Sequence, residues 1–164
     1  YLVGSRRAVP DRGQAVNEIT LRPARSTDAG KAAAFMSDYM EQTPWMPRIH
    51  TGAEDIGFVA SMIERGWVTV AVHGDAVIGF LARDGDDIQA LYIAQSQWRK
   101  GAGSALLNHA QGFVARLSLW TFQANTQAQA FYAAHGFNEV ERTDGAGNDE
   151  HLPDIRFEWH KEAA

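Results

Sequence analysis

The chain has 164 residues, of which 45% are hydrophobic, and a formal charge of −5. This length is typical of one domain, and the hydrophobic content excludes a disordered or collagen-like chain. The sequence contains no cysteine, which excludes disulfide scaffolds, thiolate metal sites and a cysteine nucleophile. The acidic balance argues against binding to nucleic acid, because binding to a phosphate backbone needs a basic surface.

Nothing in the sequence predicts insertion into a membrane, since no apolar run approaches the ~18 residues that are needed. Residues 1–17 also lack the apolar stretch of a signal peptide, and we interpret them as an N-terminal tail. A single domain is therefore expected at 18–164, in a cytoplasmic protein. The six histidines form no HxH or HExxH pattern, so no metal site is predicted.

The hydrophobic pattern predicts a mixed α/β domain, because strand-like and helix-like periods alternate along the chain. In the first half we predict a strand at 19–22, a helix capped by 26–28, a loop at 41–50, a helix after the capping box 51–54, and a hairpin of strands 67–72 and 76–83. In the second half we predict strands at 87–93 and 117–122, helices at 104–116 and near 126–135, and strands near 137–142 and 155–160. These elements favour one sheet with helices on both faces.

The segment 99–104 carries the clearest chemical signal. It joins a predicted strand to a predicted helix, whose N-terminus favours an anion. Arg99 and Lys100 oppose the helix dipole unless an anion lies between them and the helix. Gly101 and Gly103 allow backbone N–H groups to approach a phosphate. Neither a Walker A loop nor the dinucleotide fingerprint matches, and the alternative is a solvated basic turn before an amphipathic helix.

Three segments, in a fixed order along the chain, carry recognisable motifs: LYI at 91–93, WRKGAG at 98–103 and NTQAQAFYAAHGF at 125–137. They resemble the fourth strand, the Q/R-x-x-G-x-G/A pyrophosphate loop and the N-x-x-A-x-x-F-Y-x-x-x-G-F segment of the GCN5-related N-acetyltransferase (GNAT) family. Trp98 departs from the loop pattern, in which Gln or Arg is usual. The resemblance runs from Ile19 to the end of the chain. It implies a GNAT-like acyl-CoA N-acyltransferase fold, with a central, mostly antiparallel sheet, and the transfer of an acetyl group from acetyl-CoA to an amine.

The resemblance implies an acetyl-CoA site that is built mostly from backbone groups. In the family, the fourth strand pairs with the pantetheine arm like an added strand, which assigns the backbone of Leu91 and Ile93 to that arm. Asn125 bonds the CoA arm by resemblance, and its alternative role is the N-cap of the following helix. The N–H groups of the loop hold the CoA phosphates, and here they belong to Arg99, Lys100, Gly101, Ala102, Gly103 and Ser104.

The resemblance also implies an acid and a base. Tyr132 resembles the general acid that protonates the departing CoA thiolate, and its alternative role is that of a core aromatic. An acceptor amine is protonated at neutral pH and must lose a proton before it attacks. Asp87 matches the position of the glutamate base in histone acetyltransferases of the family, but it is one methylene shorter, and an acidic strand-edge residue is the alternative. The rival bases are Glu41, Glu150, His151 and Asp154.

Two loops wall the acceptor site in the family: the loop between the first two helices and the loop before the last strand. Here the first loop contributes Trp45, whose aromatic face suits a cation. The second contributes Glu150 and Asp154, whose carboxylates suit an ammonium group. The alternative is a solvated acidic loop with an aromatic cover over the core.

A covalent acetyl-enzyme has no support, because the chain has no cysteine and no identifiable Ser–His–Asp arrangement. We therefore predict an acetyl-CoA-dependent N-acetyltransferase that acts on the primary amine of a small molecule by direct transfer in a ternary complex. A protein or peptide amine is the alternative acceptor, and a non-catalytic acyl-CoA sensor is the alternative function. Homodimers are frequent in the family, so the resemblance allows a homodimer.

Overall fold

Seven strands form one sheet in the computed structural model, which describes residues 18–162. They are β1 (Ile19–Pro23), β2 (Val68–His73), β3 (Ala76–Asp84), β4 (Asp87–Ile93), β5 (Arg116–Phe122), β6 (Asn138–Thr143) and β7 (Asp154–His160). Their order across the sheet is β1-β2-β3-β4-β5-β7-β6, and every neighbouring pair except β4 and β5 is antiparallel. The predicted mixed, mostly antiparallel sheet is confirmed, while the predicted tail, residues 1–17, lies outside the described residues.

Four α-helices in the described part of the chain accompany this sheet. They are α1 (Ala29–Glu41), α2 (Gly52–Glu64), α3 (Ala102–Gln111) and α4 (Thr126–Ala134), with short 3-10 helices at Ser26–Asp28 and Gln95–Gln97. The predicted capping box begins α2, because the Thr51 hydroxyl accepts the Glu54 N–H and the Glu54 carboxylate accepts the Thr51 N–H. Between residues 18 and 162, no helix is long and apolar enough to cross a membrane.

Buried side chains on the two faces of the sheet form two hydrophobic clusters. One contains Phe35 of α1 and Val59 of α2, and the other contains Leu106 of α3. The consecutive residues Phe80 and Leu81 of β3 fall into different clusters, as the alternation of side chains along a strand requires. The sheet is therefore covered on both faces, which confirms the prediction of one sheet with helices on both faces.

The helix predicted at 104–116 is shorter than expected, because α3 ends at Gln111. The Gly112 N–H is shared between Asn108 O and His109 O, and the Phe113 N–H then bonds Ala110 O in a tightened turn. Glycine loses more backbone entropy in a helix than other residues, so Gly112 favours an exit from α3. The apolar pattern alone did not mark this end.

The segment Ser26–Asp28 was expected to cap a helix, but it forms a separate 3-10 turn before α1. The Asp28 carboxylate accepts the Arg25 N–H at 2.7 Å and an Arg22 guanidinium N–H at 2.8 Å. Hydrogen bonding to Arg22 holds the pKa of Asp28 below its usual range. Asp28 thus connects this turn to β1 and makes no side-chain hydrogen bond to the first turn of α1 within the described residues.

The pairing of β4 with β5 covers one position among the described residues, and this opens the sheet between them. Asp87 pairs with Ser118, and the Ser118 N–H donates to Asp86 O at 2.9 Å. Beyond that point β4 pairs with β3, and β5 pairs with β7 over its whole length. The two parallel strands therefore diverge toward their C-terminal ends, which α3 and α4 follow in the chain.

Candidate active site

A cavity of about 1380 Å³ lies in the gap between β4 and β5. Its walls are these two strands, the N-terminal turn of α3, much of α4 and the polar loop before β7. Most of the predicted site residues come together here. Those that line the cavity are Leu91, Ile93, Arg99, Gly101, Gly103, Ser104, Asn125, Tyr132, Glu150 and Asp154.

The edge of β4 that faces the gap carries backbone groups that no strand covers. The Ala94 N–H donates to Ile78 O on β3. Because peptide groups alternate between the two sides of a strand, those of Leu91 and Ile93 point the other way, toward the gap. Ile93 O accepts the indole N–H of Trp98 at 2.8 Å. An extended ligand can therefore bind along this edge as an added strand.

The N-terminus of α3 offers N–H groups to the same cavity. Arg99 and Gly101 have positive φ angles of 64° and 98°, and left-handed residues turn successive N–H groups toward one side. The first helical bond runs from the Ala105 N–H to Gly101 O. The N–H groups of the first three residues of α3, Ala102, Gly103 and Ser104, therefore have no acceptor within residues 18–162. Together with the helix dipole, these N–H groups favour an anion at this turn.

Tyr132 lines the cavity from the buried side of α4. Its ring lies 5.4 Å from the Phe137 ring and 6.4 Å from the Phe157 ring, and 8% of the residue is exposed. Burial raises the pKa of Tyr132 well above its usual value, and the neighbouring Tyr92 adds to this effect. Tyr132 is therefore both a core aromatic and a protonated phenol at the cavity wall.

A comparison with protein families decides the classification. The model of the acetyltransferase (GNAT) family matches residues 32–137, which is more than half of the chain. The chain belongs to the GNAT acetyltransferase family. No curated protein sequence matches it.

Solved structures share the fold of this GNAT protein. Apo YjaB from Escherichia coli is 23% identical, with a TM-score of 0.73, over 88% of this chain and 99% of that one. A GNAT family acetyltransferase from Bacillus cereus is 18% identical, with a TM-score of 0.72, over 90% of this chain and 100% of that one. The putative acetyltransferase yncA from Salmonella typhimurium, solved with its cofactor acetyl-CoA, is 15% identical, with a TM-score of 0.68. The match covers 90% of this chain and 96% of that one. At these identities the likeness shows the fold.

Asp87 of this GNAT protein lies outside the cavity. It stands where β4 and β5 pair, accepts a hydrogen bond from the Ser118 hydroxyl, and lies 3.5 Å from a guanidinium nitrogen of Arg156. A general base must reach the amine directly or through one water, so the geometry favours a base from the cavity wall over Asp87. The carboxylates that line the cavity are Glu141, Glu150 and Asp154. Within the described residues, no group of three His, Asp or Glu side chains is arranged to hold a metal ion.

Asn125 joins the N-terminus of α4 to α1. Its Oδ1 accepts the Ala128 N–H at 3.0 Å, and its Nδ2 donates to the Tyr39 hydroxyl at 2.8 Å. The alternative role as an N-cap is thus confirmed, while the role at the CoA arm stays a prediction. Both polar ends of the side chain are engaged, which fixes the position of Asn125 at the cavity wall.

Two tyrosines that the motifs did not mark as site residues also line the cavity. Tyr39 of α1 and Tyr92 of β4 have ring centroids 5.7 Å apart. Burial is the main cause that raises the pKa of each, so both hydroxyl groups are neutral. Tyr39 falls within the apolar stripe of α1. Its phenol hydroxyl among apolar residues is the sequence feature that could have marked it as a site residue.

Trp45 does not line the cavity directly. It packs edge-on against Phe122, with ring centroids 5.9 Å apart, and Phe122 lines the cavity. Trp45 is half-buried, and its predicted contact with a cation stays a prediction. The aromatic side chains at the cavity wall are those of Tyr39, Tyr92, Trp98, Trp120, Phe122, Phe131 and Tyr132.

The loop 144–153 is tied together by Asn148. Its Nδ2 donates to Leu152 O at 2.8 Å and to the Asp154 carboxylate at 3.1 Å, and its Oδ1 accepts the Leu152 N–H at 3.2 Å. Asp154 is buried and also accepts the Thr143 hydroxyl, so it is engaged in holding the loop. Glu150 lines the cavity from the same loop and is the better placed carboxylate for chemistry.

The N-cap at Asn125 can be tested by two substitutions. We expect Asn125→Ala to lower the free energy of unfolding by about 1 kcal/mol, the usual cost of losing a cap. Asn125→Asp retains an accepting oxygen and should lose much less. Urea denaturation measures both values. Since both variants lose the donor to Tyr39, equal losses would show that the cap does not stabilise α4.

Proposed function

We propose that this GNAT protein transfers the acetyl group of acetyl-CoA directly to the primary amine of a small molecule. The observation that carries the proposal is the gap between β4 and β5, where an uncovered strand edge leads to unpaired N–H groups of α3. A strand edge binds an extended amide-containing chain, and a helix N-terminus binds phosphate. Acetyl-CoA contains both groups in one molecule. The Salmonella structure of similar fold, solved with acetyl-CoA, supports this choice.

The charges around the cavity favour an anion at one wall and a cation at another. Arg99 lies in the loop before α3, followed by Lys100, and their positive charge attracts phosphate groups. The carboxylates belong to β6, β7 and the loop between them, and they attract an ammonium group. They are Glu141, Glu150 and Asp154. An anionic donor and a cationic acceptor are thereby drawn to different walls of one cavity.

The chemistry requires two protons to leave the ammonium nitrogen and one to reach the sulfur. Bound acetyl-CoA supplies a thioester carbonyl carbon as the electrophile. We assign the base to Glu150, which accepts a proton from the ammonium group so that the neutral amine can attack. As the C–N bond forms and the C–S bond breaks, Tyr132 donates its hydroxyl proton to the leaving sulfur. The nitrogen loses its second proton to solvent as the amide forms. Solvent then reprotonates Tyr132 and removes the proton from Glu150, so the net release is one proton per turnover.

Burial of Tyr132 is compatible with its role as the acid. An ordinary phenol has a pKa of ~10 and a thiol a pKa of ~8.5, so transfer between them in water costs about 2 kcal/mol. Burial disfavours the phenolate, but it also disfavours the thiolate in the same cavity. The difference between the two pKa values decides the cost, and this difference changes less than either value.

The walls at the carboxylates favour a small acceptor. Tyr39 and Tyr92 offer aromatic surface for a cation or an apolar body. The loop that carries Glu150 is held by internal hydrogen bonds of Asn148, so it forms a defined wall. A compact amine with an apolar portion matches this combination of charge and aromatic surface.

A binding and CoA-release assay tests the proposed function. We expect acetyl-CoA to raise the melting temperature, because a ligand that binds only the folded state stabilises it. We also expect CoA release with small primary amines and little release with peptides. Absence of acetyl-CoA binding at millimolar concentration would overturn the proposal as a whole. Release with peptides alone would overturn the acceptor class, and binding without release for any amine would indicate a sensor.

Replacement of Tyr132 by phenylalanine tests the acid. The variant keeps the buried ring but loses the proton donor, so we expect kcat to fall by about 100-fold or more. The Kd of acetyl-CoA should not change, which calorimetric titration can show on the same sample. A melting temperature near that of the parent protein confirms folding. An unchanged kcat would exclude Tyr132 as the acid.

Substitution of each carboxylate distinguishes the bases. We expect Glu150→Gln to lower kcat/KM by about 100-fold or more, because an amide cannot accept the proton. Asp149→Asn is the matched control, since Asp149 is the exposed neighbour in the same loop, and its kcat/KM should equal that of the parent protein. If Asp87→Asn lowers kcat/KM this far and Glu150→Gln does not, the base is Asp87.

A further inference from the structure

A hydrogen bond between a serine and a histidine joins α3 to the end of α4. His135, the residue that follows α4, has its Nε2 3.0 Å from Ser104 Oγ and its Nδ1 2.8 Å from Phe131 O. Ser104 is the third residue of α3 and lines the cavity. The proposed reaction assigns no role to His135.

The direction of both hydrogen bonds follows from the Phe131 carbonyl. A carbonyl oxygen only accepts, so Nδ1 of His135 must carry a hydrogen atom. In the neutral ring Nε2 is then the acceptor, and the Ser104 hydroxyl donates to it. The hydroxyl of Ser104 is therefore turned toward α4.

His135 contacts α3 near both of its ends. Its side chain holds Ser104 in the first turn, and its backbone oxygen accepts the Gln111 Nε2–H at 3.0 Å in the last turn. The ring of His135 also packs on the Phe131 ring, with centroids 4.4 Å apart. A Cβ built on Gly103 would lie 3.3 Å from the Phe131 ring, so Phe131 approaches the same turn of α3 closely.

These contacts orient the N–H groups of α3 that face the cavity. A polar side chain at the third helical position can fold back and accept the N–H of the N-cap residue. The bond to His135 turns the Ser104 hydroxyl away from Gly101 and toward α4. Donors that are already oriented bind a ligand more tightly, because no ordering cost is paid on binding. The binding of an anion at this turn of α3 therefore depends on how α4 holds the turn.

We propose that His135 is a positioning residue for the phosphate-binding turn of α3, acting through the Ser104 hydroxyl. This inference rests on the proposed function, since it takes the phosphates of acetyl-CoA as the ligand of that turn. His135 itself touches neither the acetyl group nor the acceptor in this assignment. Its substitution should change the affinity for acetyl-CoA and leave the chemical step intact.

Two amide substitutions separate the bonds of the ring. Asn at position 135 places its Nδ2 where Nδ1 stands and keeps the bond to Phe131 O, but it is too short to reach Ser104. Gln at the same position can reach Ser104. We expect His135→Asn to raise the Kd of acetyl-CoA about threefold to tenfold, as the loss of one hydrogen bond predicts. His135→Gln should bind as the parent protein does, and KM should follow Kd while kcat stays constant.

A double-mutant cycle tests whether His135 acts through Ser104. The Kd of acetyl-CoA is measured by calorimetric titration for His135→Asn, Ser104→Ala and the double variant. If the proposal holds, His135→Asn has no further effect in the Ser104→Ala background. Additive effects would overturn it. His109→Asn in α3 is the control, because His109 stacks on Phe113 outside this cavity, and it should leave Kd unchanged.

The outcomes separate this inference from the proposed function. If the parent protein does not bind acetyl-CoA, the proposed function fails. If the parent protein binds and His135→Asn binds equally well, the inference is overturned and the function stands. Melting temperatures accompany each titration, and a variant that melts lower but keeps its Kd also overturns the inference. Should His135→Asn not fold, a raised Kd for His135→Gln with unchanged melting would overturn it as well.

Discussion

The link between β4 and β5 determines the form of the site. The Ser118 N–H donates to Asp86 O, and among the described residues the two strands have no paired position beyond Asp87 and Ser118. A continuous sheet would engage the peptide groups of Leu91 and Ile93 in a ladder, whereas here β5 does not pair with them and Ile93 O accepts the Trp98 indole N–H. Asp87 lies where the strands still meet, and its contacts with Ser118 and Arg156 hold that junction.

An open sheet needs other contacts to hold its two halves. The helices that follow the diverging strands supply them, since Gly103 of α3 packs under Phe131 of α4 and Ser104 bonds His135. Asn125 at the start of α4 reaches Tyr39 of α1. The contacts that bridge the gap therefore also orient the groups that line it.

The sequence predicted best what depends on neighbouring residues. The strand Asp87–Ile93 and the capping box at Thr51 follow from short-range preferences. The contacts that side chains make with distant partners needed the tertiary structure. Trp45 supports Phe122 from outside the cavity, and Asp87 bonds Ser118 across the strand junction. The early end of α3 at Gln111 was not marked by the apolar pattern.

By itself, the sequence predicted an anion site at 99–104, because backbone N–H groups at a glycine-containing helix start favour phosphate. Only the tertiary structure decided which side chains line the cavity. Tyr39 and Asn125 are 86 positions apart in the chain yet share a hydrogen bond at the cavity wall. Glu150 reaches the same cavity from the loop before β7. Such a constellation exists only after the sheet has opened and its elements have packed, so no local pattern could show it.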